Sequence, residues 1–169
     1  MKLKKYLDNN YTKEEQKSLI SLEFPFEDIT SLEGIEQLVN LESLYCSGEG
    51  ITSLKGIEQL TKLKLLDCYD NKLTSLKEIE KLTNLKELNC TNNKLTSLKG
   101  IEILVKLEVL YCYGNMLTSL KGIENLDKLY WLICSKNPLP YSDLDNLKKL
   151  KLEVIKEVRQ YKIQKMLLL

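Results

Sequence analysis

The chain contains no histidine, and this absence excludes several kinds of site at once. A Ser-His or Cys-His nucleophile pair cannot form, and zinc loses one of its usual ligands. Arginine is almost missing too, because Arg159 is the only arginine among 25 basic residues. Arginine reads phosphates and base edges through its planar fork, so its scarcity disfavours a nucleic-acid partner. A net charge of +1 gives no strong field for nucleic acids or membranes either.

Other absences bear on activity and location. The seven glycines form no phosphate-binding motif, since Gly48-Glu-Gly50 lacks the rest of a dinucleotide fingerprint. No apolar run is long enough to span a bilayer, and no apolar stretch of the signal-peptide kind follows the charged start of the chain. We therefore predict a cytoplasmic protein that is not an enzyme, with no catalytic residue and no cofactor.

A repeat of 22 residues dominates what is present. Rows of 22 written from Leu19 place leucine at positions 1 and 4, mostly cysteine at position 6 and mostly asparagine at position 9. The unit is L-x-x-L-x-C-x-x-N-x-L-T-S-L-K-G-I-E-x-L-x-x, and six copies cover residues 19–150. A period of this length indicates a stack of similar units that bury a core only together.

This unit resembles the leucine-rich repeat, whose segment L-x-x-L-x-L/C-x-x-N-x-L accepts cysteine at the last apolar position before asparagine. Its length, and the Leu, Ile and Leu at positions 14, 17 and 20, are similar to the internalin-like and phosphatase-regulator-like subclass. The resemblance implies an α/β fold, a right-handed leucine-rich-repeat solenoid. Its parallel β-sheet is concave, and short 3₁₀ or helical turns lie on the convex side. The resemblance also implies a protein ligand, although a fold says little about which one.

The columns predict the local structure. Alternation around Leu66 and Cys68 predicts one short strand per repeat, with positions 4 and 6 in the core and positions 3, 5 and 7 facing outward. The asparagine column is expected to satisfy backbone groups that are buried at the turn. Glu27 and Glu49 replace asparagine in the first two repeats, which predicts a looser turn there.

The other half of the repeat predicts a short turn on the convex side. The segment from Leu76 to Leu82 fits a 3₁₀ turn, which Ser75 can cap. Lys and Glu stand three residues apart in four repeats, as at Lys55 and Glu58. We expect such pairs to form exposed ion pairs.

Cysteine occupies position 6 in five successive repeats. Neighbours in a parallel sheet lie about 4.8 Å apart in a straight row, whereas zinc needs four ligands that converge as a tetrahedron. We therefore predict buried structural thiols and no metal site. An odd number of core thiols also indicates a reducing, intracellular compartment. The column consists of Cys46, Cys68, Cys90, Cys112 and Cys134.

Both open ends of a solenoid core need a cover. Thr12-Lys-Glu-Glu15 is a capping box, so residues 1–18 are predicted to form an N-terminal helical cap before the repeats at 19–150. Pro138 and Pro140 break the convex pattern, and the apolar spacing that follows predicts a C-terminal capping helix over residues 142–169, overlapping the last repeat. This helix is basic and amphipathic.

Outward strand positions are the most informative about function, because the core constrains them least. Aromatic and apolar residues gather there in the last two repeats, with a thinner, partly acidic extension in the second and third. Such clusters are typical of a protein-binding surface. Alternatively, the C-terminal helix covers Trp131, or the aromatic residues simply favour strands. The predicted protein-binding residues are Tyr45, Leu65, Asp67, Tyr69, Val109, Tyr111, Tyr113, Tyr130, Trp131 and Ile133.

We therefore predict a non-catalytic protein–protein interaction scaffold that binds a protein partner through the concave face. The alternative is a structural, self-assembling or membrane-surface protein that acts through its basic C-terminal helix. We expect a monomer, with weak homodimerisation through the C-terminus as the alternative. No nucleic-acid partner and no membrane attachment are expected.

Overall fold

Six short parallel strands follow two helices along the chain. The computed structural model describes residues 3–24, 29–48 and 50–140. The helices are α1 (Leu3–Asn10) and α2 (Lys13–Ser18). The strands are β1 (Ser21–Glu23), β2 (Ser43–Tyr45), β3 (Leu65–Asp67), β4 (Glu87–Asn89), β5 (Val109–Tyr111) and β6 (Trp131–Ile133).

The six strands form one parallel sheet in chain order, β1 to β6. Every residue pairs with its counterpart one repeat later, so Leu44 lies between Leu22 and Leu66. The strands begin 22 residues apart, and the sheet therefore shows the same period as the sequence. The predicted solenoid with a parallel sheet is confirmed.

The apolar columns line a single continuous core. Leu44, Leu66, Leu88 and Leu110 at position 4 are fully buried, each against its counterparts in the next repeats. A fully buried leucine side chain contributes about 1.5–3 kcal/mol relative to an exposed one. Because each repeat buries its apolar face against its neighbours, the stability comes from stacking.

The asparagine column satisfies the buried backbone, as predicted. Nδ2 of Asn93 donates to the carbonyl of Cys68 in the preceding repeat at 3.0 Å and to that of Cys90 in its own at 3.1 Å. Its Oδ1 accepts from the backbone N–H of Leu73 at 2.9 Å. Three other repeats share this arrangement, through Asn71, Asn115 and Asn137. The looser turn predicted at Glu27 and Glu49 lies outside the described residues.

The residue at position 8 of the repeat has a left-handed backbone in all five repeats where it is described. Its φ is 76° at Gly48, 56° at Asp70, 51° at Asn92, 65° at Gly114 and 52° at Lys136. Glycine adopts this conformation without strain, and Asn and Asp do so more readily than most other residues. The turn geometry therefore explains the residue types at position 8, except for lysine at Lys136.

Short 3₁₀ turns lie between the strands in the first three repeats, at Ile35–Gln37, Ile57–Gln59 and Lys77–Lys81. The turn predicted in the third repeat is confirmed. The predicted cap at Ser75 is wrong, because Leu76 occupies the N-cap position and makes no side-chain capping hydrogen bond. The hydroxyl of Ser75 instead accepts a hydrogen bond from the backbone N–H of Lys77, the first residue of the turn, at 3.0 Å.

The ion pairs predicted along these turns do not form. In the described part of the chain, Glu58 does not pair with Lys55, and Oε2 of Glu58 instead accepts from the backbone N–H of Gly56 at 2.7 Å. Glu102 and Glu124 make the same contact with the glycines two residues before them. The carboxylate satisfies a backbone donor of its own turn, and this contact takes the place of the exposed ion pair.

The capping box predicted at the second helix is present. The hydroxyl of Thr12 accepts from the backbone N–H of Glu15 at 3.3 Å, and Oε2 of Glu15 accepts from that of Thr12 at 2.7 Å. Hydrogen bonding of the Glu15 carboxylate with the backbone N–H of Thr12, and secondarily with its side chain, lowers the pKa of Glu15. The sequence signal therefore marks the start of α2 correctly.

Helix α1 packs against the first repeat. The ring of Tyr6 meets that of Phe24 edge to face, with the centroids 6.5 Å apart. Phe24 occupies the position that is cysteine in later repeats. The larger side chain fits there because its neighbour on the outer side is a helix and not another strand. The predicted C-terminal capping helix at 142–169 lies outside the described residues.

Candidate functional site

One side of the sheet faces away from the core, and we call it the open face. It consists of the first and third residues of every strand, at repeat positions 3 and 5, and of the residue at position 7. The middle residue of each strand is buried, whereas the residues on either side of it are half-buried or exposed. The core therefore dictates position 4 and leaves the open face to other requirements.

The strand register joins the predicted residues of the last two repeats into one patch. Val109 pairs with Trp131, and Tyr111 pairs with Ile133. Burial raises the pKa of Tyr111, and Glu87 and Tyr130 raise it further, which places both groups within electrostatic reach of the Tyr111 phenol. The aromatic patch consists of Val109, Tyr111, Tyr113, Tyr130, Trp131 and Ile133.

The side chains of the aromatic patch differ in exposure. Tyr130 is 54% exposed, whereas Val109, Tyr111, Tyr113, Trp131 and Ile133 are half-buried. Nε1 of Trp131 is buried, and it has no hydrogen-bond partner within residues 3–24, 29–48 and 50–140. An unsatisfied buried donor costs about 1–3 kcal/mol. The alternative that the C-terminal segment covers Trp131 involves residues outside the described ones.

The remaining predicted residues form a second group on the same face. Tyr45 pairs with Asp67 across β2 and β3, while Leu65 lies on β3 two residues before Asp67. Tyr69 follows β3 and is 41% exposed. Strand β4 separates this group from the aromatic patch. Nine of the ten predicted residues therefore lie on the open face and Tyr130 stands at its edge, at position 2, but the ten do not form a single contiguous cluster.

Strand β4 adds two residues that the sequence analysis did not select. Glu87 pairs with Leu65 on one side and Val109 on the other, and Asn89 pairs with Asp67 and Tyr111. Both share the outward columns with the selected residues, and this column membership was the available signal. Neither residue is aromatic or apolar, so the clustering of aromatic and apolar side chains does not point to them, while the register makes β4 the bridge between the two groups.

The carboxylate of Asp67 is held in place on this face. Its Oδ1 accepts from the backbone N–H of Tyr69 at 3.1 Å, and its Oδ2 accepts from Nδ2 of Asn89 at 3.2 Å. Asn89 is itself fixed, because its Oδ1 accepts from the backbone N–H of Thr91 at 3.1 Å. The acidic group is thus pre-oriented by hydrogen bonds within and between two strands.

A cation already contacts the aromatic patch. Nζ of Lys136 lies 5.1 Å from the centroid of the Tyr113 ring, within the range of a cation–π contact. Lys136 is not among the protein-binding residues that the sequence predicts. Its position next to the asparagine column gave no sign of this contact, which depends on a tyrosine one repeat earlier.

The open face is acidic. Positions 3, 5 and 7 of the six repeats contain no lysine and no arginine, and their charged residues are Glu23, Asp67 and Glu87. Two lysines stand at the edge of the face, at position 2, and both are paired. Lys64 contacts Glu42 at 2.8 Å, and Lys86 contacts Glu108 at 3.1 Å. The face is therefore negative although the chain as a whole carries +1.

The cysteine column lies in the core, so the predicted burial of its thiols is confirmed. Sγ of Cys68 donates to the carbonyl of Asn89 at 3.3 Å, and Sγ of Cys90 donates to that of Tyr111 at 3.4 Å. Burial raises the pKa of Cys90 to about 12, so its thiol keeps its proton at neutral pH. Such buried thiols are protected from oxidants, and the reducing compartment stays a prediction.

The described residues contain neither a cluster of metal ligands nor a helix that could span a membrane. Over the described ranges, no three His, Cys, Asp or Glu side chains lie close enough together to hold a metal ion. In the same ranges, no helix has the length and apolar character needed to cross a bilayer. The roles suggested for the C-terminal helix, self-assembly and attachment to a membrane surface, involve residues outside the described ones.

Comparison with known proteins identifies the repeat. A family model described as leucine-rich repeats in two copies matches residues 61–103. None of the curated proteins is significantly similar to the chain. Among solved structures, the internalin InlF of Listeria monocytogenes superposes with a TM-score of 0.77 and 27% identity, over 89% of this chain and 46% of that one.

Two other proteins of the same bacterium are similar. Internalin C2 has a TM-score of 0.71 and 25% identity, over 78% of this chain and 58% of its own. The functional domain of InlJ, which includes a cysteine ladder, has a TM-score of 0.58 and 31% identity, over 75% of this chain and 32% of its own.

The chain thus spans about half the length of InlF and internalin C2, and a third of InlJ. What it shares with them is the stacked parallel sheet and the repeat that builds it. A cysteine column also occurs here, at position 6. The chain therefore contains leucine-rich repeats, and its 22-residue unit and solenoid resemble those of the internalins.

Proposed function

We propose that the protein is a non-catalytic scaffold that recognises a protein partner through its open face, with the aromatic patch as the main contact. The internalin-like fold is a known non-enzymatic interaction scaffold, commonly used between proteins. The observation that carries the proposal is the register of β5 and β6, which places Val109 beside Trp131 and Tyr111 beside Ile133. The core requires none of these four side chains.

The character of the patch supports a binding role. Tryptophan and tyrosine are enriched among the residues that dominate binding energy at interfaces. Half-buried rings on short, paired strands are already ordered, so these side chains lose less conformational entropy when a partner binds. A partner that offers an acceptor to the indole N–H of Trp131 would also remove an unsatisfied donor.

The test compares partner capture by the wild-type chain with capture by a Tyr111→Ala/Trp131→Ala variant, followed by titration calorimetry with the captured protein. We expect affinity to fall by about 30-fold or more, as for the loss of hot-spot residues. The matched control is Ile103→Ala/Val105→Ala, which removes side chains that are 44% and 53% exposed outside the strands. This control should bind like the wild type.

Circular dichroism and melting establish whether the variant is folded. Equal binding by the folded variant and the wild type would reject the open face as the recognition surface. A large loss of stability in Tyr111→Ala/Trp131→Ala would instead mean that the rings are structural. In that case the milder Trp131→Phe and Tyr111→Phe variants are titrated, and binding that is unchanged in both rejects the patch.

A further inference from the structure

We propose that the partner presents to the open face a protein segment in which Lys or Arg side chains alternate with apolar ones. This inference rests on the proposed function, because it specifies the chemistry of the partner at the same surface. It is carried by the arrangement of Asp67 and Glu87 beside tyrosine residues, on a face whose positions 3, 5 and 7 contain no lysine and no arginine.

The open face carries two carboxylates on adjacent strands, Asp67 on β3 and Glu87 on β4. Asp67 and Glu87 are half-buried on neighbouring strands, and in the described ranges no cation lies within ion-pair distance of either. Asp67 is oriented by Tyr69 and Asn89. A partly desolvated carboxylate without a counter-charge gains more from a cation than an exposed one does.

A tyrosine lies near each of these carboxylates. Tyr45 pairs with Asp67, and Glu87 pairs with Val109, which lies two residues before Tyr111 on the same face of β5. The charge of Glu87 also raises the pKa of Tyr111. A cation bound by either carboxylate would therefore lie close to a tyrosine ring. The contact between Lys136 and Tyr113 shows within this protein that the face can place an ammonium group over a tyrosine.

The charge of the open face and the apolar residues between its carboxylates indicate what kind of partner it binds. Negative charge on the face repels phosphates, which opposes a nucleic acid or an anionic membrane. The carboxylates alternate with apolar residues across the strands: Leu65 pairs with Glu87, and Glu87 pairs with Val109. A protein segment with alternating basic and apolar side chains complements this arrangement, because it pairs charges where carboxylates stand and covers apolar area between them.

The experiment is a selection from a displayed library of random 12-residue peptides on the immobilised full chain, followed by titration of synthetic copies of the selected peptides. Three variants are titrated beside the wild type. Asp67→Asn/Glu87→Gln removes both charges, and Tyr111→Ala/Trp131→Ala removes the patch. The matched control Glu14→Gln/Asp127→Asn makes the same change of charge at exposed positions outside the strands.

We expect the selected peptides to be enriched in Lys or Arg beside apolar residues. Their affinity should fall about tenfold or more in Asp67→Asn/Glu87→Gln, the loss of roughly one well-placed charge pair, and should be unchanged in the control. Raising the salt concentration from 0.05 to 0.5 M should weaken binding to the wild type more than binding to the neutralised variant.

Other outcomes separate this inference from the proposed function. Selected peptides that lack basic residues and bind Asp67→Asn/Glu87→Gln normally, but lose affinity in Tyr111→Ala/Trp131→Ala, overturn the cationic segment and leave the open face as the binding surface. Peptides unaffected by either variant, or no enrichment at all, reject both proposals.

The chain itself supplies one alternative occupant. Residues 148–169 contain seven basic and two acidic residues. A synthetic peptide with this sequence is therefore included as a competitor. Competition by this peptide that is lost in Asp67→Asn/Glu87→Gln would overturn the assignment to a foreign partner and identify the occupant as a segment of this chain.

Discussion

At the scale of single residues, the asparagine column illustrates how one side chain can tie together two repeats. Asn93 contacts the backbone of Cys68 and Leu73 in the preceding repeat and that of Cys90 in its own. The side-chain amide supplies two N–H donors and one carbonyl acceptor, and among the other side chains of similar size only that of glutamine does so. This is why the column tolerates so little variation where the turn is buried.

We expect Asn93→Ala to lower the free energy of unfolding by about 1–3 kcal/mol, because the buried backbone groups lose their partners. The neighbouring substitution Lys94→Ala removes an exposed side chain and should change it by less than about 0.5 kcal/mol. Urea denaturation of both variants measures the difference. Similar losses at the two positions would contradict this account of the turn.

The buried thiols give a second prediction at the residue scale. Burial raises the pKa of Cys90 to about 12, whereas a thiol in the unfolded chain titrates near ~8.5. The folded state therefore holds this proton more tightly, and the associated stability is complete below pH ~8.5 and is lost as the pH rises towards ~12.

We expect the free energy of unfolding in urea to fall between about pH 9 and 11, and to fall less steeply in Cys90→Ala. The same variant should lose about 1–3 kcal/mol at pH 7 as a small core truncation. Metal analysis of the purified wild type should find no stoichiometric zinc. One zinc per chain, lost in Cys90→Ala, would contradict the structural role of the column.

At the scale of elements, the glycine at position 16 shapes the convex turns. It has a φ of 104° at Gly56 and 107° at Gly100, which side chains rarely adopt. The third repeat has Glu78 at this position, and its 3₁₀ turn extends over five residues, Lys77–Lys81, where the first two repeats have three. A residue that avoids positive φ stays in the helical region, and the turn lengthens accordingly.

A comparison of Gly48 with Gly100 distinguishes the cost of a strained backbone from the cost of a steric clash. A Cβ added at Gly100 would lie 2.9 Å from the carbonyl oxygen of Leu76 in the preceding repeat, whereas one added at Gly48 would meet nothing within 4 Å. Gly48→Ala should therefore cost about 1–2 kcal/mol for the left-handed backbone alone. Gly100→Ala should cost clearly more, as measured by urea denaturation. A larger loss of stability in Gly48→Ala than in Gly100→Ala would mean that neighbouring repeats move apart easily to accommodate the added Cβ.

At the scale of the whole molecule, the repeats depend on one another along the stack. Each strand pairs only with the strands before and after it. A defect in the middle of the sheet should thus reach both neighbours, while distant repeats remain intact. This behaviour differs from that of a domain with a single compact core, where every element contacts several others.

Leu88→Ala tests this property. Leu88 is fully buried on β4, and its truncation should cost about 2–5 kcal/mol. Hydrogen exchange followed by mass spectrometry should show faster exchange in β3, β4 and β5, and the smallest change in β1. The exposed substitution Val105→Ala serves as the control and should leave the pattern unchanged. Uniform acceleration over all described strands would show that the stack unfolds as one unit.

Much of this architecture follows from the sequence alone. A strict 22-residue period leaves one register open to the chain, so the columns predict the parallel sheet, the buried cysteines and the role of asparagine. Local rules suffice for these features, because each depends on residues that recur identically. The capping box at Thr12 and the turn at Lys77–Lys81 are also predictable, because each depends on residues only a few positions apart.

The tertiary structure decided which side-chain contacts form where the spacing of the residues leaves the partner open. The side chain of Glu58 turns to the N–H of Gly56 and not to Lys55, Asn89 holds Asp67, and Lys136 lies over Tyr113. The last two contacts join residues about one repeat apart, and the first is a choice between two partners that local spacing allows equally. Half-burial of the aromatic patch likewise depends on neighbouring strands. The period determined the scaffold, while side-chain competition across repeats determined the surface.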